Sequence, residues 1–250
     1  MIRSKAITKE QTDKVLSLFS MHTCVEIADI VGVTLHQVYE VRKRYNLTNK
    51  QNQIFVFNDL QKQILLGGKL GDGNFKKNGA NYYYRESHAD DEKEYLLWKI
   101  NNFDENMLSK RGMYKIKKGG WNVQQLYGFS TKSSPVFSEY NNLTISETIS
   151  KLDHRGLIMF MLDDGWISKH SKTGNFFISG GILTEQNLTE VCSQFEKYGI
   201  NNVHTVGKKR FDISIPKENT PKLYDMATSF IPENIDIIQK KFYNTRYTII

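Results

Sequence analysis

Apolar residues near the amino terminus recur at the three- and four-residue spacing of amphipathic helices. The pattern predicts three short helices, over residues 8–19, 25–31 and 34–45. Threonine stands at the start of the first and the third, where its hydroxyl can cap free backbone amides. Gly32 ends the second helix, so the last two helices are joined by a short turn that contains glycine. This arrangement is typical of a helix-turn-helix.

Beyond a polar stretch at residues 46–58, helical and alternating segments follow one another in a repeated order. Helices are predicted at residues 59–70, 91–101, 147–162 and 185–198, and strands at 74–77, 81–88, 113–118, 123–130, 165–170, 175–181, 203–206 and 210–215. The order helix, strand, strand, helix, strand, strand occurs twice, which indicates an internal repeat. The sequence therefore predicts an α+β fold with a helix-turn-helix domain at 1–50, a linker at 51–58, a first repeat unit at 59–150 and a second at 151–250.

Composition and charge restrict the classes of protein that fit this pattern. The 250 residues are 39% hydrophobic and 24% charged, which is enough apolar material for a folded core. A net charge of +7 suits a polyanionic partner such as nucleic acid. The two cysteines, Cys24 and Cys192, exclude a disulfide framework and a structural zinc site. Without an apolar run of membrane-spanning length or a signal peptide, we expect a soluble protein of the cytoplasm or of an organelle.

The ends of two predicted helices carry the same unusual pattern. Residues 65–73 read LLGGKLGDG and residues 157–165 read LIMFMLDDG, which places Asp72 and Asp164 at matching positions. A carboxylate at the negative end of the helix dipole is unfavourable, and two such carboxylates brought together repel unless a divalent cation lies between them. The glycine after each acid is expected to end its helix in a left-handed conformation. The pair indicates a divalent-metal site.

This pair of motifs resembles that of the LAGLIDADG homing endonucleases, in the single-chain form that carries two copies. The resemblance spans about residues 58–245, and the segment 82–88 followed by KEYLLW at 93–98 is similar to the second strand and following helix of that family. It implies two LAGLIDADG-type α/β units related by a pseudo-twofold axis, whose motif helices pack side by side above a DNA-binding saddle. Because the first motif is glycine-rich and the second bulky, we expect bulk on one helix to fill the space that glycine leaves on the other.

The resemblance also implies the site residues. Asp72 and Asp164 would be the catalytic acids and the ligands of Mg²⁺ or Mn²⁺, and the carbonyls of Gly71 and Asp163 would be additional ligands. The side chain of Asp163 is expected to be solvated beyond the helix end, so that only its carbonyl is a candidate ligand.

Members of this family carry a basic residue near the end of each half, close to the scissile phosphate. In the second half, Lys241 is preferred over Lys240 for this catalytic role. The matching region of the first half, around Asn142, has no lysine. Lys132 is the candidate that would replace it.

Polar and basic side chains on the predicted recognition helix and strands are the expected DNA contacts. On the third helix they are Thr34, His36, Gln37, Tyr39, Arg42 and Lys43. On and between the strands they are Lys76, Tyr82, Tyr84, His88, Lys117, Lys132, Lys169, Lys172, Lys208 and Arg210.

These observations together predict a site-specific, metal-dependent endonuclease that cuts both strands of a long double-stranded DNA target. The protein is expected to act as a monomer, because one chain holds both motifs. Two alternatives stay open. An intron RNA maturase on the same scaffold would bind RNA, and a cleavage-inactive regulator would bind DNA through the helix-turn-helix alone.

Overall fold

The computed structural model describes residues 7–19, 22–45, 55–110, 112–116, 124–167, 175–181, 183–207 and 212–243. The chain divides into two compact units, Met1–Gln53 and Ile54–Ile250. None of the helices within the described ranges is long and apolar enough to cross a membrane.

The amino-terminal unit contains the three predicted helices: α1 (Lys9–Leu18), α2 (Cys24–Val31) and α3 (Leu35–Arg44). Each begins after a threonine whose hydroxyl accepts a hydrogen bond from the third backbone amide of the helix. Gly32 ends α2 with a φ of 68°, a left-handed conformation that glycine adopts without strain. The small core between the helices consists of Val15, Phe19, Cys24, Ile27, Ala28, Val38 and Val41.

The larger unit contains two antiparallel four-stranded sheets with the same strand order. The elements of its first half are α4 (Asp59–Leu70), β1 (Gly73–Asn78), β2 (Asn81–Ala89), α5 (Lys93–Asn101), β3 (Tyr114–Ile116), β4 (Leu126–Ser130), α6 (Val136–Asn142) and α7 (Ile145–Ser150). Those of its second half are α8 (His154–Asp164), β5 (Gly165–Ile167), β6 (Phe176–Ser179), α9 (Glu185–Lys197), β7 (His204–Val206), β8 (Asp212–Ile215), α10 (Thr220–Thr228) and α11 (Asp236–Ile238). The strand orders are β1-β2-β4-β3 and β5-β6-β8-β7.

The single helix predicted over residues 147–162 is in fact two helices, α7 and α8. The predicted helix is divided because Asp153 caps a new helix. Its carboxylate accepts hydrogen bonds from the backbone amides of Arg155 (2.8 Å) and Gly156 (3.3 Å). Helices α6, α10 and α11 were not predicted. A short π-helix at Gln239–Tyr243 follows α11.

Helices α4 and α8 pack against each other along their glycine-rich and bulky faces, as predicted. A Cβ atom built on Gly67 would lie 3.1 Å from Cβ of Met159, and one on Gly71 would lie 2.6 Å from Cβ of Asp163. Met159 follows Gly67 by 92 residues, and Asp163 follows Gly71 by the same number. Asp72 and Asp164 have this separation too. Matching positions of the two helices therefore face each other.

The expectation that the glycines after the acids adopt a left-handed conformation is wrong. Gly165 has a φ of −99°, and neither Gly73 nor Gly165 has a positive φ. Close packing requires glycine at both positions instead. A Cβ on Gly73 would collide with the Tyr84 hydroxyl, and one on Gly165 would collide with the Met161 carbonyl and the Phe176 ring.

Candidate active site

Three potential metal ligands meet where α4 and α8 end. Asp72 lies between α4 and β1, Asp163 is the penultimate residue of α8, and His88 lies on β2, with ligand atoms within 4.8 Å of one another. The Asp163 side chain is fully buried, whereas 38% of the Asp72 side chain is exposed. Partial burial, followed by the negative charge of Asp163, raises the pKa of Asp72 to about 7. The cluster thus combines one buried acid with one that solvent can reach.

Glu86 is the centre of a buried charged network beneath these ligands. It accepts hydrogen bonds from the Tyr84 hydroxyl and the Lys99 ammonium, and its Oε1 lies 2.7 Å from Nε2 of His88. Lys99 Nζ also donates to Oδ1 of Asp163 at 2.8 Å. Burial alone would raise the pKa of Glu86, but the charges of Lys99 and His88 lower it to about 2. Glu86 is therefore a carboxylate shared by two cations.

His88 and Lys99 are those two cations. Nδ1 of His88 lies 3.1 Å from Glu92 and 3.4 Å from Asp72. Burial alone would lower the pKa of His88, but hydrogen bonds to Glu86 and Glu92 raise it to about 10. Burial alone would also lower the pKa of Lys99. The negative charges of Asp163 and Glu86 have the larger effect and raise the pKa of the ammonium above its usual value. Each candidate metal-binding acid is thus in contact with a buried cation.

The side chain of Asp163 faces this cluster, which corrects the expectation that it is solvated, and the predicted role of the Asp163 carbonyl stays a prediction. Burial raises the pKa of Asp163 against the opposing effect of Lys99. Asp164, the predicted partner of Asp72, is the last residue of α8 and is half-buried. Its role as a metal ligand stays a prediction, as does that of the Gly71 carbonyl.

The residues present fit a hard divalent cation. Asp72 and Asp163 supply carboxylate oxygens, the donors that Mg²⁺ and Mn²⁺ prefer. Oδ2 of Asp163 is buried and has no hydrogen-bond partner among the described residues. An orphaned carboxylate oxygen beside a second carboxylate is the arrangement that a bound cation would satisfy. His88 fits less well as a ligand, because both of its ring nitrogens face carboxylates.

Two lysines of the carboxyl-terminal segment lie near the acids. Lys241 donates a hydrogen bond to the carbonyl of Gly165, the last residue of the second motif, and burial lowers the pKa of Lys241. Lys240 instead forms ion pairs with Asp91 (2.9 Å) and Glu92 (2.8 Å). The ammonium of Lys241 therefore lies at the second motif and that of Lys240 does not, and the catalytic role of Lys241 stays a prediction.

Lys132 lies among other basic side chains of the first sheet, and its catalytic role stays a prediction. It lines an open cavity of about 680 Å³ on the first sheet, together with Lys77 and Arg85. The Lys77 end of β1 adjoins the β1–β2 turn, whereas Asp72 precedes the opposite end of the strand. The cavity is cationic and suits a phosphate group, in line with the DNA contact that is also predicted for Lys132.

The outer face of the first sheet carries a different set of β2 side chains from the predicted one. Residues 84, 86 and 88 are buried, and the alternate residues 83, 85 and 87 are half-buried. The prediction that Tyr84 and His88 contact DNA is therefore wrong, since both lie inside the protein. The Tyr82 side chain is on the same face of β2 as those of Tyr84 and His88, and it packs against the core. Tyr83 and Arg85 take the outer face, opposite Lys76 and Asn74 of β1. Lys76 is exposed, and its contact with DNA stays a prediction.

On α3, two of the predicted DNA contacts already have a structural role. The Thr34 hydroxyl accepts from the Gln37 amide at 3.3 Å, and Oε1 of Gln37 accepts from the Thr34 amide at 2.8 Å. A base contact through that oxygen would compete with this capping box. His36, Tyr39 and Lys43 are exposed, and Arg42 is half-buried. The remaining predicted contacts, Lys117, Lys169, Lys172, Lys208 and Arg210, lie outside the described residues.

The sequence patterns did not single out Glu86 and Lys99. For Lys99 a signal existed: it follows the buried Tyr95 and Leu96 by four and three residues, so it occupies the apolar face of α5. For Glu86 the signal was its parity with Tyr84 and His88 on β2. A charged residue at a core position indicates either a buried pair or a functional site.

Residues 62–158 match the sequence profile of the LAGLIDADG DNA endonuclease family. The matched stretch begins in α4 and ends in α8, so it contains Asp72 but stops before Asp163 and Asp164. A comparison with curated protein sequences found no match.

Solved structures show similarity to the larger part of the chain. The homing endonuclease I-WcaI bound to its DNA recognition sequence has a TM-score of 0.61 and 18% identity, covering 82% of this chain and 94% of that chain. I-DmoI in complex with DNA and Mn has a TM-score of 0.43 and 16% identity, covering 69% and 96%. The N-terminal LAGLIDADG domain of DUF199/WhiA has a TM-score of 0.45 and 14% identity, covering 73% and 89%. The chain therefore shares the mixed helix-and-sheet fold of I-WcaI.

Proposed function

We propose that the protein is a divalent-metal-dependent DNA endonuclease of the two-motif LAGLIDADG type, which hydrolyses both strands of a long target site. The observation that carries this proposal is the convergence of Asp72 and Asp163 at the ends of two closely packed helices. Lys99 and His88 balance part of the charge of the two acids, and Oδ2 of Asp163, which has no hydrogen-bond partner among the described residues, is an oxygen that a metal would bind. The profile match over residues 62–158 and the I-WcaI fold support the same class of protein.

Asp72 and Asp163 would hold Mg²⁺ or Mn²⁺, with Asp164 and the Gly71 carbonyl as further ligands. A bound cation supplies an activated water and neutralises charge on the leaving oxygen. The exposed part of Asp72 is the side from which a phosphodiester can approach. Lys99 and His88 lie beside Asp163 and Asp72, at 2.8 Å and 3.4 Å.

Lys241 would assist the reaction through its charge. Its ammonium lies at the carbonyl of Gly165, next to the end of the second motif. An ammonium near the scissile phosphate stabilises the negative charge that grows in the transition state. Since the first half has no equivalent lysine around Asn142, we propose that the two strands are cut at different rates.

The outer faces of the two sheets would form the DNA-binding saddle, in a protein that acts as a monomer. Lys76, Tyr83 and Arg85 present polar and cationic groups on the first sheet, and Lys132 lines the cationic cavity beside them. In the amino-terminal unit, α3 would act as a recognition helix, with His36 and Tyr39 at base edges and Arg42 and Lys43 at phosphates.

The experiment that tests this function presents the full-length protein with a library of randomised DNA duplexes in Mg²⁺, and in parallel with EDTA. We expect one long sequence to be cut only with the metal. Binding of one duplex without cutting would instead support the cleavage-inactive regulator. Selective binding of folded RNA, in a matched RNA library, would support the maturase alternative.

A further inference from the structure

The two halves of the larger unit carry different chemistry at equivalent interior positions. Gly73 pairs with Glu86 in the first sheet, and Gly165 pairs with Ile178 in the second. Glu86 and Ile178 are thus counterparts, 92 residues apart like the two motif acids. The same separation relates the first residues of α5 and α9 and makes Val191 the counterpart of Lys99.

These counterparts are buried to the same degree but differ in charge. Glu86 is 2% exposed, and Lys99, Ile178 and Val191 are fully buried. Removing two charges from water is expensive, and well-packed hydrophobic residues of similar volume often give equal or greater stability. The second half shows that this fold can be built with apolar residues at those positions. Stability alone therefore does not account for the charged pair in the first half.

The contacts of the charged pair point toward the candidate metal ligands. Glu86 Oε1 lies 2.7 Å from His88, and Lys99 donates to the same oxygen. His88 in turn lies 3.4 Å from Asp72, and Lys99 Nζ lies 2.8 Å from Asp163. The Glu86 carboxylate thus contacts both side chains. Lys99 hydrogen-bonds to Asp163, and Nδ1 of His88 lies between Glu92 at 3.1 Å and Asp72 at 3.4 Å.

We propose that Glu86, His88 and Lys99 form a positioning unit that fixes the carboxylates of Asp72 and Asp163 for a divalent cation, and that this unit serves the cleavage of one DNA strand. The proposal rests on the nuclease function above. None of the three residues touches the reacting phosphate in this account. They act through the acids, and the apolar counterparts in the second half make the two reaction centres unequal.

The test replaces the charged pair with apolar residues in the full-length protein, as the double variant Glu86→Ile, Lys99→Met. Its urea midpoint is expected to fall but to show a cooperative transition, because the fold tolerates apolar residues at these positions while the buried Asp163 carboxylate and the Tyr84 hydroxyl lose their partners. Its affinity for Mn²⁺, measured by titration calorimetry without DNA, is expected to fall by about 10- to 100-fold. The cleavage rate of one DNA strand should fall by a similar factor, while that of the other strand stays within about threefold of the wild-type rate.

Two further variants keep the test decisive. Glu86→Gln retains the shape of the side chain and removes the shared charge, so it serves if the double variant does not fold, and the same loss of Mn²⁺ affinity is expected. Ile178→Val is the matched control at the equivalent position of the second half, and it should lower the urea midpoint without changing Mn²⁺ affinity or the ratio of strand rates.

A folded variant with wild-type Mn²⁺ affinity and an unchanged strand ratio would overturn the positioning role. A wild-type protein that cuts no DNA would instead overturn the proposed function, and the Mn²⁺ titration would still test the positioning unit.

Discussion

Asp163 and Asp164 are adjacent in the sequence, but their side chains have different surroundings. Asp163 is buried against Lys99 and shares the cluster with Asp72, whereas Asp164 is half-buried at the last position of α8. The sequence resemblance implies that Asp164 is a metal ligand, whereas the geometry makes Asp163 a candidate ligand, because its carboxylate lies in the cluster with Asp72. Substitution of each acid separately distinguishes their contributions.

Asp72→Asn and Asp164→Asn should each abolish double-strand cleavage and leave DNA affinity largely unchanged, because the phosphate and base contacts lie elsewhere. Asp163→Asn should weaken Mn²⁺ binding, since it removes one carboxylate oxygen from the cation and one charge from the partner of Lys99. Cleavage of the selected duplex and Mn²⁺ titration measure these effects. If both the Asp72 and Asp164 variants cut at the wild-type rate, the assignment of the acids is wrong.

Lys241→Met should slow one strand by about 10²- to 10³-fold and the other far less, so that a nicked duplex accumulates. Strand-specific labels resolve the two rates. Lys240→Met is the matched control on the same segment, because it breaks the ion pairs to Asp91 and Glu92 and leaves the ammonium at Gly165 in place. Equal slowing of both strands would show that Lys241 does not serve a single centre.

Among the elements, the contact of α4 with α8 depends on glycine. A Cβ on Gly67 would lie 2.7 Å from the backbone oxygen of Gly156, which cannot move as a side chain can. Gly67→Ala should therefore lower the free energy of unfolding by about 1–3 kcal/mol, measured by urea denaturation. Lys62→Ala, on the exposed side of the same helix, should change it by less than about 0.5 kcal/mol. A Gly67 variant as stable as that control would contradict the close contact.

The prediction of elements from sequence succeeded where the signals are local. Thr8 and Thr34, the predicted caps, begin α1 and α3 through capping boxes. The face of β2 was harder to assign, because NYYYRESHA offers aromatic and polar residues at both parities. A shift of one residue moves every side chain to the other face, and the buried charges of Glu86 and His88 made the inner face resemble an outer one.

If α3 reads DNA, its basic end should contribute to the salt dependence of binding. Replacing Arg42 and Lys43 with glutamine should flatten the plot of log affinity against log salt by about 0.9 for each lost phosphate contact. Lys14→Gln, an exposed change on α1, serves as the control and should leave the slope unchanged. An unaltered slope in the α3 variant would show that this helix is not a DNA reader.

On the scale of the whole molecule, the repeat was predictable and the charged network was not. Two rounds of the same element order in the sequence correspond to two sheets with the same strand order. The network joins Glu86, Lys99 and Asp163, which lie on a strand and two helices far apart in sequence. Such contacts depend on the folded arrangement. The sequence alone could therefore show only that Glu86 and Lys99 are charged residues at positions predicted to be buried.

The central claim is that the two motif helices assemble a metal-dependent nuclease site, and a strand-resolved cleavage time course on the selected duplex tests it most directly. We predict that the wild type cuts both strands in Mg²⁺, at different rates, and neither strand in EDTA. Asp72→Asn should bind the same duplex and no longer cut both strands. Cleavage that persists in EDTA, or that is unchanged in the Asp72 variant, would contradict the account.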